Sequence, residues 1–246
     1  GGLALAGHTD TVPFDEALWQ SDPFTVKDHQ DRYYGLGCCD MKGFFPVALE
    51  AAETFAKQQL SAPLTIVATS DEESSMAGSR YLLECGKPKA DYAIIGEPTA
   101  MQPIYAHKGI SMITIQLQGA SGHSSDPSLG ANALDAMHRV MGELIAMREE
   151  LAAANQNNAF AVNVPTMNLG CMRAGDNPNR ICGHAALQID LRLLPGMDSE
   201  AIHEALERRI AAVVANTGVN LQLPTAYPPI SPFQSGRNGE LLDALS

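Results

Sequence analysis

The chain is 246 residues long, enough for one large or two ordinary domains with proper cores, and carries a formal net charge of −12 with an isoelectric point near 4.9. That acidity argues against nucleic acid and anionic membrane surfaces as partners, and no apolar stretch approaches the roughly 20 residues needed to span a bilayer. Five cysteines form an odd count without paired C-x-x-C spacing, so a disulfide framework and a structural zinc ribbon are both disfavoured, and free thiols in a reducing cytoplasm are expected.

Three apolar runs each lead into metal-binding or acidic residues. Leu3–Gly7 runs into His8-Thr9-Asp10, Leu64–Ala68 into Asp71-Glu72-Glu73, and Tyr92–Gly96 into Glu97. Continuous apolar runs bounded by turn residues predict fully buried strands, and ligands in α/β sheets collect beyond the carboxyl ends of such strands. Between the first two runs, Asp40 precedes a helix predicted over Gly43–Gln59 by the spacing of Phe44, Val47, Ala48, Ala51, Ala52 and Phe55. A lone His-x-Asp is more often a satisfied structural histidine than a ligand, and adjacent acids such as Glu72 and Glu73 are usually a solvated loop. Together they predict one acidic, histidine-bearing pocket. Four carboxylates meeting there would repel one another unless cations neutralise them.

Oxygen and imidazole donors suit a hydrolytic zinc, or cobalt or manganese, and two such ions about 3.5 to 4 Å apart need a bridging carboxylate, for which Asp40 is the natural candidate. His8 would bind one ion, while Asp10, two residues along an extended chain, would accept a hydrogen bond from the other ring nitrogen. Glu72 and Glu73, neighbours in a loop, point in different directions, so one can coordinate while the other takes a proton from water.

Beyond Gly109 the patterning changes. Ser111–Gln118, Thr166–Arg173, Ala185–Leu193 and Val219–Leu223 read as strands, and Ala131–Ala154 and Ser199–Thr217 as helices. The order βαββαβ predicts a ferredoxin-like unit, with Asp198 starting the second helix and Gly218 stopping it. His123 and Asn179 have turn readings of their own, and Arg192 can pair with Asp190, although its planar fork also suits a carboxylate ligand. His107, His138 and His203 are read as structural.

The segments Gly7-His8-Thr9-Asp10-Thr11-Val12-Pro13, Tyr34-Gly35-Leu36-Gly37 followed by Asp40-Met41-Lys42-Gly43, Asp71-Glu72-Glu73 and Gly96-Glu97-Pro98-Thr99 resemble, in order and spacing, the dinuclear zinc deacylases and aminoacylases, a family that includes acetylornithine deacetylase and succinyl-diaminopimelate desuccinylase. The resemblance runs from Gly2 to about Pro229. It implies an α/β, zinc-peptidase-like catalytic domain over residues 1–108, an inserted ferredoxin-like lid and dimerisation domain over 109–228, and a return to the catalytic domain over 229–246. It further implies that His8 and Glu97 bind one zinc, Glu73 the other, that Asp40 bridges across a cis Asp40–Met41 peptide, that Glu72 is the general base and that Asp10 orients His8. His123 becomes an oxyanion contact reaching the active site of the partner subunit, and Asn179 and Arg192 become substrate-binding residues.

Ser75-Met76-Ala77-Gly78, Ala106-His107-Lys108-Gly109, Gly122-His123-Ser124-Ser125-Asp126-Pro127 and Asn179-Arg180-Ile181-Cys182 look most like the acetylornithine deacetylase branch. That branch implies a cytoplasmic homodimer acting on a small N-acylated amino acid. The alternatives are a sister deacylase or dipeptidase, or a non-catalytic dimeric relative. The chain is expected to be a fragment, since it lacks an initiator Met, Ser246 interrupts an amphipathic pattern, and the resemblance puts the histidine ligand of the second zinc beyond it. Cys38-Cys39 departs from the small or hydroxyl residues usual before the bridging aspartate, and buried packing is expected for both.

Overall fold

The structure, a computed structural model, describes residues 1–224, 228–235 and 239–245. The chain divides into two compact units, Gly1–Pro103 with Gly239–Ser246, and Ile104–Asn238.

The first unit contains β1 (Leu3–His8), an exposed hairpin of β2 (Lys27–His29) and β3 (Arg32–Tyr34), α1 (Phe44–Ala56), β4 (Leu64–Thr69), α2 (Ala77–Glu84) and β5 (Tyr92–Ile95). The three apolar runs form one parallel sheet in the order β4-β1-β5, with His8 opposite Thr69 and Ala6 opposite Ile95. Parallel strands need crossovers, and α1 supplies the one from β1 to β4. Burial is nearest to complete in β1, where only Leu3 and Ala6 are half-buried. With a neighbour on each side it is the best-buried strand, whereas β4 and β5 flank it and leave side chains such as Ile95 63% exposed.

The predicted helix is α1, but it begins at Phe44 and its last turn closes on Lys57, short of Gln59. Before it, Cys38–Lys42 makes a wide turn interrupted at Asp40 (φ −122°, ψ 100°) and Met41 (φ −130°, ψ 23°). The Asp40–Met41 peptide is cis, as the resemblance implied. Met41 is fully buried, and Gly7 of β1 leaves room for it: a Cβ on Gly7 would lie 2.6 Å from Met41 Cε.

The second unit contains β6 (Ala106–His107), β7 (Gly109–Gln118), α3 (Ala133–Ala154), β8 (Thr166–Ala174), β9 (His184–Leu193), α4 (Ser199–Val214), β10 (Asn220–Gln222) and β11 (Phe233–Gln234), and α5 (Gly239–Leu245) then belongs to the first unit, where Tyr92 donates to Glu240 Oε2 at 2.7 Å. The main sheet runs β10-β7-β9-β8, antiparallel throughout, which is the ferredoxin-like arrangement the βαββαβ pattern predicts. Alternate residues of β7 and β9, among them Ile115, Leu117, Leu187, Ile189 and Leu191, pack on Met137, Val140 and Leu144 of α3 and Leu206 and Ile210 of α4. Asn132 caps α3 by accepting from the amides of Leu134 and Asp135, and Asp198 caps α4 by accepting from Ala201 N–H. α4 ends at Val214, with Ala215 as its cap, before the expected stop. The chain turns at Asn216 (φ +63°), and Gly218 (φ +73°) belongs to that turn. Antiparallel pairing of β6 with β11 keeps both with this unit, so its edges fall outside the expected 109 and 228. Residues 225–227, 236–238 and 246, which the expected boundaries also take in, lie outside the described residues.

Candidate metal centre

His8 ends the buried strand β1 and is itself 1% exposed. Its Nδ1 lies 3.0 Å from the Asp10 carbonyl oxygen, which can only accept, so Nδ1 carries a proton. Nε2 then faces a ring of acids: Asp40 Oδ1 at 3.1 Å, Glu97 Oε1 at 3.7 Å and Glu72 Oε2 at 3.9 Å. Possible ligand atoms of His8, Asp40 and Glu97 lie within 4.8 Å of one another, as do those of His8, Glu72 and Glu73. Three strand ends and the turn before α1 thus bring together the five residues expected to hold metal or act beside it.

Asp10 joins them in a different way from that expected. The chain turns after β1 so that the main-chain carbonyl of Asp10, not its carboxylate, holds the ring of His8. Asp10 Oδ1 stands 3.5 Å from Nδ1, buried and without a hydrogen bond, while Oδ2 accepts from Glu73 N–H at 3.1 Å. The carboxylate therefore ties the end of β1 to the Asp71-Glu72-Glu73 loop. That loop winds around the Asp71 carbonyl, which accepts from Ser75 N–H at 3.1 Å, with Asp71 in the left-handed region (φ +60°).

The electrostatics are those of a cation site. Burial alone would lower the pKa of His8, but the Asp40 hydrogen bond, the Asp10 carbonyl and the charges of Glu72 and Glu97 raise it above its ordinary value. Burial raises Glu72, reinforced by Glu73, Asp10 and Asp40 against the opposing pull of His8. Burial raises Glu97 as well, with Asp40 adding to it. Asp10 moves the other way, because backbone amides, Glu73 N–H foremost, outweigh its burial. A lone pair on Nε2 aimed at three carboxylates repels them, so that space must hold a proton or a cation. The donors are one imidazole nitrogen and carboxylate oxygens, which fit zinc or a comparable divalent ion. Neither cysteine of the Cys38-Cys39 pair belongs to these groups. Cys39 is exposed, which corrects the expectation of buried packing, while Cys38 is half-buried with Sγ against Gly35.

The other predicted site residues belong to the second unit. His123 pairs across an antiparallel bridge with Arg180, and Ser124 N–H donates to the Asn179 carbonyl at 3.1 Å, so His123 and Asn179 share one corner. Asn179 N–H donates to Asn177 Oδ1 at 3.2 Å, which is turn chemistry. Arg192 Nε donates to both Asp190 oxygens at 2.9 and 3.1 Å. Two residues were missed in the sequence. Met41 is an apolar residue inside a polar motif whose burial follows from the side-chain-free Gly7, and Ser125, two residues past His123, closes on its ring.

A parallel α/β sheet with a histidine and acids at its carboxyl ends, carried in one chain with a ferredoxin-like unit, defines a metal-binding α/β protein with two structural units. Residues 4–195 match the model of peptidase family M20/M25/M40, and the chain belongs to that family. An acetylornithine deacetylase of Edwardsiella ictaluri is 44% identical over 245 residues, covering 100% of this chain and 64% of that relative, so the chain spans about two thirds of that relative's length. Among solved structures, an M20 family metallo-carboxypeptidase from Sulfolobus solfataricus is similar with a TM-score of 0.69 at 19% identity, over 99% of this chain and 67% of that one. Human carnosine dipeptidase 1 gives 0.63 at 17% identity, over 99% and 65%. At those identities the likeness is one of fold.

Proposed function

We propose that this chain is the major part of a zinc-dependent amidohydrolase that cleaves N2-acetyl-L-ornithine to acetate and L-ornithine, a step of arginine biosynthesis. The carrying observation is His8 Nε2 set among Asp40, Glu97 and Glu72 at 3.1 to 3.9 Å. The 44% identity to an acetylornithine deacetylase supports the choice of substrate. His8, Asp40 and Glu97 would hold one zinc, and Glu73, with Asp40 shared between sites, would contribute to a second. Bound zinc supplies Lewis acidity for the amide carbonyl and lowers the pKa of water.

The residues of the chain do the rest. Glu72, beside the cluster, takes the proton of the attacking water and passes it to the leaving nitrogen. Asp10 holds His8 through its carbonyl and the Glu73 backbone through its carboxylate. His123 donates to the oxyanion, and Asn179 and Arg192 orient the substrate, Arg192 through the guanidinium nitrogens that Asp190 does not engage. The second unit serves as lid and homodimer surface. The enzyme acts in the cytoplasm, and among the described residues no helix is long and apolar enough to cross a membrane.

The test uses the full-length, zinc-loaded protein with N2-acetyl-L-ornithine, N-succinyl-diaminopimelate and a dipeptide. Highest kcat/KM on the first supports the reading. Preference for either of the others transfers the assignment to a sister enzyme, and hydrolysis of none of them refutes it.

A further inference from the structure

Two histidines of the second unit are held in opposite tautomers by groups whose hydrogen-bonding role is fixed. Nδ1 of His203 lies 2.5 Å from the Ser199 carbonyl, which can only accept, so the proton sits on Nδ1 and Nε2 accepts from the buried Ser111 hydroxyl at 2.6 Å. His123 shows the reverse. The backbone N–H of Ser125, which can only donate, lies 3.2 Å from Nδ1, and the Ser125 hydroxyl lies 2.8 Å from the same atom. Two donors converge on one lone pair, so the proton of the neutral ring is on Nε2.

We infer that Ser125 is a positioning residue that holds His123 as the Nε2–H tautomer, so that its outer nitrogen is a hydrogen-bond donor. The backbone that carries the ring is fixed as well, by the His123–Arg180 bridge and the Ser124 N–H bond to the Asn179 carbonyl. A donor is what a developing oxyanion needs and a lone pair is what it cannot tolerate, so the tautomer decides whether His123 can serve that step. This use rests on the proposed amide hydrolysis, whereas the tautomer itself does not. The amide contact of Ser125 is the longer of the two, and the hydroxyl supplies the closer donor. Removing the hydroxyl leaves a single weaker restraint on an exposed ring.

The test is nitrogen-15 NMR of the histidine rings in the 246-residue chain, at a pH where the rings are neutral, with signals assigned by single His→Gln variants. His123 should show unprotonated Nδ1 and protonated Nε2, and His203 the opposite, an internal control in the same spectrum. Ser125→Ala should move the His123 signals toward those of a freely exchanging ring and leave His203 unchanged, and Ser125→Thr, which keeps the hydroxyl, should restore them. In the full-length enzyme Ser125→Ala should lower kcat about tenfold with KM little changed, and Ser125→Thr should recover it. A protonated Nδ1 on wild-type His123 overturns the inference. So does a Ser125→Ala variant with unaltered ring signals, or with altered signals and wild-type kcat. A full-length enzyme that hydrolyses no N-acyl amino acid, with the His123 tautomer as stated, would refute the proposed function and leave the tautomer assignment standing.

Discussion

Gly7 has no side chain because Met41 occupies the space beside it, and that packing positions the proposed bridging aspartate. A methyl on Gly7 would lie 2.6 Å from Met41 Cε, 3.3 Å from Met41 Sδ and 3.2 Å from Phe45 Cζ, where carbon contacts normally settle near about 3.5 to 4.0 Å. Met41 is 0% exposed and cannot swing into solvent, so roughly 1 Å of overlap must be relieved by moving it and Asp40, the residue before it. Overpacking of this kind costs about 1 to 3 kcal/mol, and displacing a ligand adds a loss of zinc affinity of about tenfold, or 1.4 kcal/mol. Gly7→Ala should show both. Urea unfolding followed by Trp19, the single tryptophan and part of the first unit, reads the first, and chelator competition for zinc reads the second. In a Met41→Ala background, itself about 2 to 5 kcal/mol less stable, the two contacts with Met41 are gone and of the three only the 3.2 Å approach to Phe45 Cζ remains, so Gly7→Ala should cost much less than in the wild type. The coupling between the two sites should therefore exceed about 1 kcal/mol. An equal penalty in both backgrounds would refute the packing argument.

In the full-length enzyme, Glu72→Gln should keep its zinc while kcat falls roughly 10² to 10⁴-fold, and Glu73→Gln should weaken metal binding; the reverse pattern, read by metal analysis, exchanges their roles. Mixing full-length Glu72→Ala and His123→Ala subunits should regain activity if His123 serves the partner's site, and verified exchange without activity above the parents rejects that arrangement. Arg209 hydrogen-bonds both oxygens of Glu150, at 2.6 and 2.9 Å, and holds its carboxyl below the usual range. The folded pKa is thus below the unfolded one, so the stabilisation is present above about pH 4.3 and lost as pH falls through the lowered folded value. Glu150→Gln should flatten that stretch of the stability profile of the second unit, and unchanged acid sensitivity would remove Glu150 from the account.

What was legible in the sequence followed from periodicity and from residue chemistry. β7 and β9 alternate between buried and more exposed residues and β8 does so up to the register shift between Leu169 and Cys171, and all three lie within two residues of their expected ends, because one face must meet α3 and α4 while the other does not. The acidic cluster was legible because acids directly after apolar strands must share one sheet edge. Burial of β4 and β5 was not, since an apolar run has no mark of whether its strand is flanked on both sides. The role of Asp10 was misread for a similar reason: the spacing of His8 and Asp10 locates both groups, but the turn after β1 decides whether the carbonyl or the carboxylate meets the ring. Helix ends were least legible, as at α4, where Asn216 adopts the left-handed turn assigned to Gly218.

The central claim is that His8 and its surrounding carboxylates form a divalent-metal site built from nitrogen and oxygen donors, and zinc X-ray absorption of the 246-residue chain tests it most directly. His8 is the one imidazole in the cluster among the described residues, so the account predicts one tightly held zinc with a shell of one imidazole and carboxylate or water oxygens near about 2.0 to 2.2 Å, lost in His8→Ala. A sulfur shell near about 2.3 Å, which would bring Cys38 or Cys39 onto the metal, or tight zinc binding that survives His8→Ala, would contradict it.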